Sequence, residues 1–438
     1  MSKTTVHTAE SAMQKVWRFL RADKNTTRVA MVISPATRVA LGERFGFARG
    51  EDCFPKLATA LRALGVDFIA DGGCMTDAAL CAAAEELKLR IAANNLPMIV
   101  GTAHFVEKAK KNFPKLANKF YAFAPALTYA PKLKESFPED GKTTEVVVVA
   151  PCKGHGEEDE LGLVRITTNE LAVMLESACV ALRLQNNGKA NAPYDTYTGA
   201  GVLACTSGGK AEALARQLAA KPSEAYFKQL EYCGLRGVKR VREATVELES
   251  GAQKFAVACG KEEAFALLEK ISAGETDYAF VEINCCLGGS VCCKGQPKAD
   301  ADTERLRVLG LYALDQKNVM KTAAENAFAA GEELAVFGLE ITDVEATVEE
   351  GPVAETVEEE AVEETLEEVL EEVFEAEEAG EAVFNADHIP TDEELAQMTP
   401  EEREKWVYYR RLSRAEKRKL AKLRRLRKAQ KEAEKKGE

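Results

Sequence analysis

Five cysteines of this chain stand where their spacing suggests chemistry more than packing. Four fall within nine residues, as the adjacent pairs Cys285–Cys286 and Cys292–Cys293, and the fifth, Cys152, ends an apolar run. Thiolates are soft ligands suited to iron–sulfur units and zinc, and imidazoles join them in mixed sites. Two histidines occupy comparable positions. His104 follows the apolar run 97–100, and His155 lies three residues beyond Cys152. An atypical iron–sulfur cluster, or zinc in a mixed Cys/His site, is one reading of this set. The other is a group of thiols that binds no metal, because adjacent cysteines cannot easily both ligate one ion. The remaining cysteines (53, 74, 81, 179, 205, 233 and 259) sit singly in helix-like or strand-like runs. They read as small buried hydrophobes. Disulfides are not expected in a large chain without a secretory signature.

The elements that must position these residues follow from hydrophobic patterning. Apolar runs at 29–33, 67–70, 97–100, 146–150, 201–205 and 278–283 are short, as buried parallel strands are. Amphipathic stretches at 53–64, 77–89 and 209–219 separate them. Strands alternating with helices imply an α/β body with mainly parallel sheets, in which ligands collect beyond the carboxyl ends of strands. Thr102–His104, Cys152–His155 and Cys285–Cys293 all follow strand-like runs, so three loops are expected to converge on one cleft. The glycines of 198–202 and 207–209 read as tight turns, because neither the dinucleotide fingerprint nor the P-loop lysine spacing is present.

The net charge of −13 is segregated. Residues 343–384 carry 18 Asp or Glu and no Lys or Arg, whereas 403–438 carry 16 Lys or Arg against 5 Asp or Glu. The expected organisation is an N-terminal segment (1–26), an α/β domain (27–298, lobes about 27–143 and 144–298) and a helical wrap (299–342). An acidic, disordered linker (343–387) and a basic helical tail (388–438) complete it. The tail could bind nucleic acid or an acidic protein. No apolar run approaches the roughly eighteen residues of a membrane span, and the N-terminus lacks a signal-peptide core, so a cytoplasmic protein without membrane attachment is expected.

Several segments carry a family resemblance. Val32-Ile-Ser-Pro-Ala-Thr-Arg-Val-Ala-Leu-Gly-Glu-Arg-Phe-Gly46 looks like the opening strand and helix of iron-only ([FeFe]) hydrogenases. Ala150-Pro-Cys152 resembles that family's second cysteine motif, and Phe280-Val-Glu-Ile-Asn-Cys-Cys-Leu-Gly-Gly-Ser290, ending Gly295-Gln-Pro297, resembles its third. Residues 166–171, 197–202 and 309–326 match in order. The resemblance implies a two-lobed hydrogenase-like fold with a helical appendage. It also implies a site where four cysteines hold a four-iron cube, one of them bridges to a two-iron unit, and a fifth cysteine carries protons.

This chain departs from that pattern at three places. The window of the first motif, Gly101-Thr-Ala-His104, has no cysteine. Cys152 and Cys286 match ligands, but Ser290 stands at the bridging position and His155 replaces a lysine. A paired-glutamate segment of the relay aligns with Ala82-Ala83, with Glu86 nearby. The expectation is a divergent, hydrogenase-like protein that does not evolve hydrogen. It would hold an atypical iron–sulfur cluster on Cys152 and Cys286, helped by Cys285, Cys292, Cys293, His104 or His155. Electron transfer, with a redox protein such as ferredoxin as partner, or redox sensing would be its role. An active divergent hydrogenase and a metal-free interaction scaffold are the alternatives.

Overall fold

Strand β1 (Thr27–Ile33) places Val29, Met31 and Ile33 in one apolar layer and Ala30 and Val32 in another, all essentially buried. Burial at period two on both faces is what a central parallel strand requires. In the computed structural model, which describes residues 10–153, 161–237 and 239–331, β1 pairs in parallel with β2 (Phe68–Asp71) and β5 (Thr143–Ala150). Strand β5 pairs with β6 (Leu163–Thr167), giving an all-parallel sheet ordered β2-β1-β5-β6. A second sheet is ordered β4-β3-β9-β8-β7. It contains β3 (Met98–Gly101), β4 (Phe120–Ala122), β7 (Val241–Leu248), β8 (Gly251–Cys259) and β9 (Phe280–Asn284). Within it the β7–β8 hairpin is antiparallel and the other pairings are parallel.

The largest apolar layer draws on both sheets. Val32 and Val148 of the first share it with Phe255, Val257 and Phe280 of the second. Helices α3 (Gly72–Ala92), α5 (Pro125–Glu135) and α8 (Gly209–Gln217) fill it. The outer face of the first sheet is covered by α1 (Ala12–Leu20), through Val16, Phe19 and Leu20, and by α2 (Phe54–Ala63) and α6 (Thr168–Ser177). The outer face of the second is covered by α4 (Ala103–Asn112) and α10 (Lys261–Ser272), and α9 (Glu224–Tyr232) flanks α8.

The mixed α/β, mainly parallel architecture agrees with the reading of the sequence. The lobes do not divide near residue 143, however, because β5 and β6 return to the N-terminal sheet while β3 and β4 pair into the later one. The run 201–205 is not a strand. Residues Gly199–Leu203 form the short helix α7, capped by the Thr198 hydroxyl, which accepts from Gly201 N at 3.1 Å. A Cβ on Gly201 would sit 2.7 Å from the Gly73 carbonyl oxygen, so α7 crosses α3 at backbone contact. Short apolar runs do not distinguish a buried helix from a buried strand.

The wrap consists of α11 (Ala301–Lys317) and α12 (Ala327–Ala330). His155, residues 332–342 and both charged tails lie outside the described residues. Among the described residues no helix is long and apolar enough to cross a membrane.

Candidate functional site

Strands β3 and β9 are parallel neighbours with Val100 opposite Glu282, so the windows 102–104 and 285–293 leave the same sheet side by side. Strand β5 of the other sheet ends at Ala150, immediately before Pro151–Cys152. The two are joined by backbone bonds: Gly295 N donates to Pro151 O at 3.0 Å and Asn169 N to Gly295 O at 2.9 Å. A Cβ on Gly295 would fall 2.8 Å from Pro151 O, so only glycine allows this approach. The loop is also pinned at its middle. Ser290 N donates to Cys205 O at 2.8 Å, and Gly289, at φ +79°, lies against Thr206 and Ser207.

Cys286 is the centre of the thiol group. Its sulfur is 3.7 Å from that of the exposed Cys285, and it lies near enough to Cys293 and Cys152 for both to act on its ionisation. The contact with Cys285 lowers its pKa, but the Cys293 contact, burial and the neighbouring thiols outweigh this and push it up to about 12. The hydrogen bond to Cys286, then burial, raise Cys285 well above the ordinary thiol range. These thiols are therefore neutral at pH 7, and any metal must displace their protons.

Cys292, although adjacent to Cys293, goes elsewhere. The 3₁₀ turn Ser290–Cys292 turns it onto α11, where it packs against the same apolar cluster as Val308 and Leu314, near Glu304. Burial, and then Glu304, push it up to about 12. His104 is exposed in the first turn of α4. Glu86 is engaged by Arg90 at 2.6 Å.

Sequence reasoning missed the polar group beneath the loop. The fully buried Glu282 accepts from Gly208 N (3.0 Å), Ala211 N (2.9 Å), Lys210 Nζ (3.1 Å) and Asn284 Nδ2 (2.7 Å). Burial alone would raise its pKa, but Lys210, Asn284 and the two amides hold it below the usual carboxylate range. Lys210 Nζ also donates to Asn284 Oδ1 at 3.2 Å. The one clue in the sequence was a lysine in the first turn of a helix, where the macrodipole disfavours a cation.

The donor set does not fit the family's six-iron site. The first window supplies no thiol, Ser290 supplies a hydroxyl where a shared sulfur is needed, and Cys292 faces away. Among the described residues no three His, Cys, Asp or Glu side chains are arranged to hold a metal ion. The sequence-expected ligands Cys152, Cys285, Cys286 and Cys293 are brought to one place without being pre-set as a ligand cage.

Residues 27–295 match the C-terminal domain of the iron-only hydrogenase large subunit. Iron hydrogenase 1 of Clostridium pasteurianum is 30% identical over 340 residues, covering 72% of this chain and 59% of that protein. The NADP-reducing hydrogenase subunit HndD of Solidesulfovibrio fructosivorans is 27% identical over 340 residues, covering 72% and 58%. This chain thus spans under two thirds of the length of both. Among solved structures, HydA(deltaEFG), reported as revealing stepwise assembly of the [FeFe]-hydrogenase H-cluster, superposes with a TM-score of 0.60. It is 26% identical and covers 72% of this chain and 92% of that one. A variant of [FeFe]-hydrogenase HydA1 from Chlamydomonas reinhardtii gives a TM-score of 0.59 with the same identity and coverage.

Proposed function

From the premise that the chain belongs to the iron-only hydrogenase family, we propose that it is a redox-responsive member that does not evolve hydrogen. The observation that carries this is the 3.7 Å approach of Cys286 to Cys285, with Cys152 and Cys293 near enough to act on its ionisation, in a loop where Ser290 occupies the bridging position. An iron–sulfur cluster smaller than the family's would draw its ligands from Cys152 and Cys286, with Cys293 or Cys285 joining as the 285–294 loop adjusts. Such a cluster would supply one-electron chemistry. The chain's own residues bind and orient. Gly295 ties the loop to the end of β5, and the Glu282–Lys210–Asn284 group fixes its root. Without a thiol in the 101–104 window, no acid of suitable pKa stands where the family's proton carrier would, and proton delivery fails.

Anaerobic reconstitution tests this. Wild type should take up iron and sulfide, and the double variant Cys152→Ala/Cys286→Ala should not. Equal uptake by both moves the cluster elsewhere. Hydrogen evolution after maturation that vanishes in Cys286→Ala would overturn the non-catalytic reading in favour of a divergent hydrogenase.

The partners follow from charge and redox role. A small redox protein such as a ferredoxin would exchange electrons with the cleft. The basic residues of 403–438 would bind a polyanion, nucleic acid or an acidic protein, through released counterions, so binding should weaken steeply with salt. Deletion of 388–438 that leaves polyanion binding unchanged would remove that role.

A further inference from the structure

A cavity of about 300 Å³ opens at the end of the second sheet remote from the thiol loop. Three elements meet there to wall it. Ile91 and Ala92 end α3, Leu218 follows the last residue of α8, and Leu248 and Glu249 belong to the turn of the β7–β8 hairpin, with Lys88 also lining the opening. Strand β8 runs from this turn to Cys259, which pairs with Asn284 at the root of the thiol loop. At about 3.3 Å per residue, the strand puts roughly 26 Å between the two places.

The walls are tied to one another. Glu249 N donates to Leu218 O at 3.0 Å, and Ala220 N to Glu247 O at 3.5 Å. Tyr226 of α9 braces the same strand: its hydroxyl donates to Glu247 O at 3.0 Å and accepts from Glu247 N at 3.1 Å. Leu218 and Leu248 are almost wholly buried, so the inner wall is apolar and fixed, and packing leaves it unfilled.

Charge around the opening is one-sided. Helices α3 and α8 both end at the cavity, and the carboxyl end of a helix carries partial negative charge. Lys88 is the cation of the lining, but Glu85 already holds it at 2.9 Å. Glu249 is exposed and makes no ion pair among the described residues. The opening thus presents an unpaired carboxylate and two helix ends above an apolar wall. Small-molecule sites are built this way, mostly apolar with a few polar groups that fix orientation, and about 300 Å³ is at the small end of their range.

We propose that this cavity binds a small lipophilic cation, an apolar body of one ring or a short alkyl chain carrying a primary ammonium group. The apolar body displaces water from Ile91, Leu218 and Leu248, and the ammonium meets the Glu249 carboxylate at the mouth. A carboxylate of the same shape meets like charge there and is repelled.

The test uses the full chain with its leucine methyl groups labelled for NMR, titrated with phenylpropylamine, phenylpropanol and phenylpropanoate. The amine should shift the Leu218 and Leu248 methyl signals. It should bind about tenfold more tightly than the alcohol, through one exposed ion pair and two helix ends. Phenylpropanoate should bind more weakly than the alcohol, and the gap between amine and alcohol should narrow as salt is added. Glu249→Gln should weaken the amine about fivefold and leave the alcohol unchanged. Ala92→Trp, at an exposed position of the lining, should close the cavity to all three probes. Both variants alter exposed residues, and thermal melts matching wild type show that they fold. Equal binding of the three probes, no binding of the amine, or shifts confined to other leucines would overturn the proposal. Undiminished amine binding by Glu249→Gln or by Ala92→Trp would do the same. A dimer that Ala92→Trp dissociates would make a second copy of the chain the occupant, and would overturn it as well.

Discussion

Two polar groups of the molecule solve opposite problems. Around Glu212, Arg216 donates to Glu212 at 2.7 Å and to both oxygens of Asp315 at 2.7 and 2.9 Å. Arg236 donates to Glu212 at 2.6 and 2.9 Å and to Asp315 at 3.1 Å, and its guanidinium stacks 4.3 Å from the Tyr312 ring. Two carboxylates and two guanidiniums thus close on each other, with only Arg216 Nε left without a hydrogen-bond partner among the described residues. The group ties α11 to α8 and has no capacity left for a ligand. The cysteine loop is the reverse. Its thiols are exposed or half-buried, and Cys285 and Cys286 touch only by a weak 3.7 Å contact. Charges that saturate each other make structure, whereas unspent soft donors leave room for chemistry.

The largest effect should come from the saturated group. Arg216→Met strands Glu212 and Asp315 with one cation between them, and breaking a buried pair on one side costs about 3–5 kcal/mol. Urea denaturation should read that loss. A loss near 1 kcal/mol would show the hub to be no more structural than the loop.

A smaller effect is read by pH at a third buried site. Asp77, buried in α3, accepts from Thr198 N at 2.8 Å, Thr198 Oγ1 at 2.5 Å and Asn326 Nδ2 at 3.1 Å. Burial outweighs these donors and pushes its pKa up to about 7. The folded value lies above the unfolded one, so the folded chain holds a proton that the unfolded chain has already lost. The stabilisation is full below the unfolded pKa and disappears as pH rises through about 7. Between pH 6 and 8 the chain should lose on the order of 1 kcal/mol from this group. Asp77→Asn should flatten that slope in thermal melts at several pH values. A slope unchanged by the substitution would assign the pH dependence to another group.

The smallest effect on stability should be in the loop itself. Cys286→Ala removes one sulfur from a half-exposed position and should cost less than about 1 kcal/mol, while abolishing iron uptake. A large loss of stability with redox behaviour intact would invert the contrast between the two regions.

Periodicity was enough to find β1, β2, β3, β5 and β9, because their burial on both faces writes continuous apolar runs. It missed the β7–β8 hairpin, β4 and β6. Alternating charge in Val241–Leu248 reads as surface, and Leu163–Thr167 is interrupted by Arg165. The convergence of Cys152 with Cys286 was legible, because strand ends place loops predictably. The buried Lys210–Glu282 pair was not, since its members are 72 residues apart and no local pattern marks them as partners.

Residue types and spacing by themselves determined the α/β class, and the resemblance of the motifs carried the family, the loss of the first-window thiol and the serine at position 290. Only the tertiary structure decided which thiols meet. Cys292 and Cys293 are neighbours with the same chemistry, yet a single 3₁₀ turn sends one to Glu304 on α11 and the other to Cys286. A sequence fixes the donors it supplies. Their direction depends on backbone dihedrals set by distant packing, here the seating of Gly289 on Thr206 and of Gly295 on Pro151.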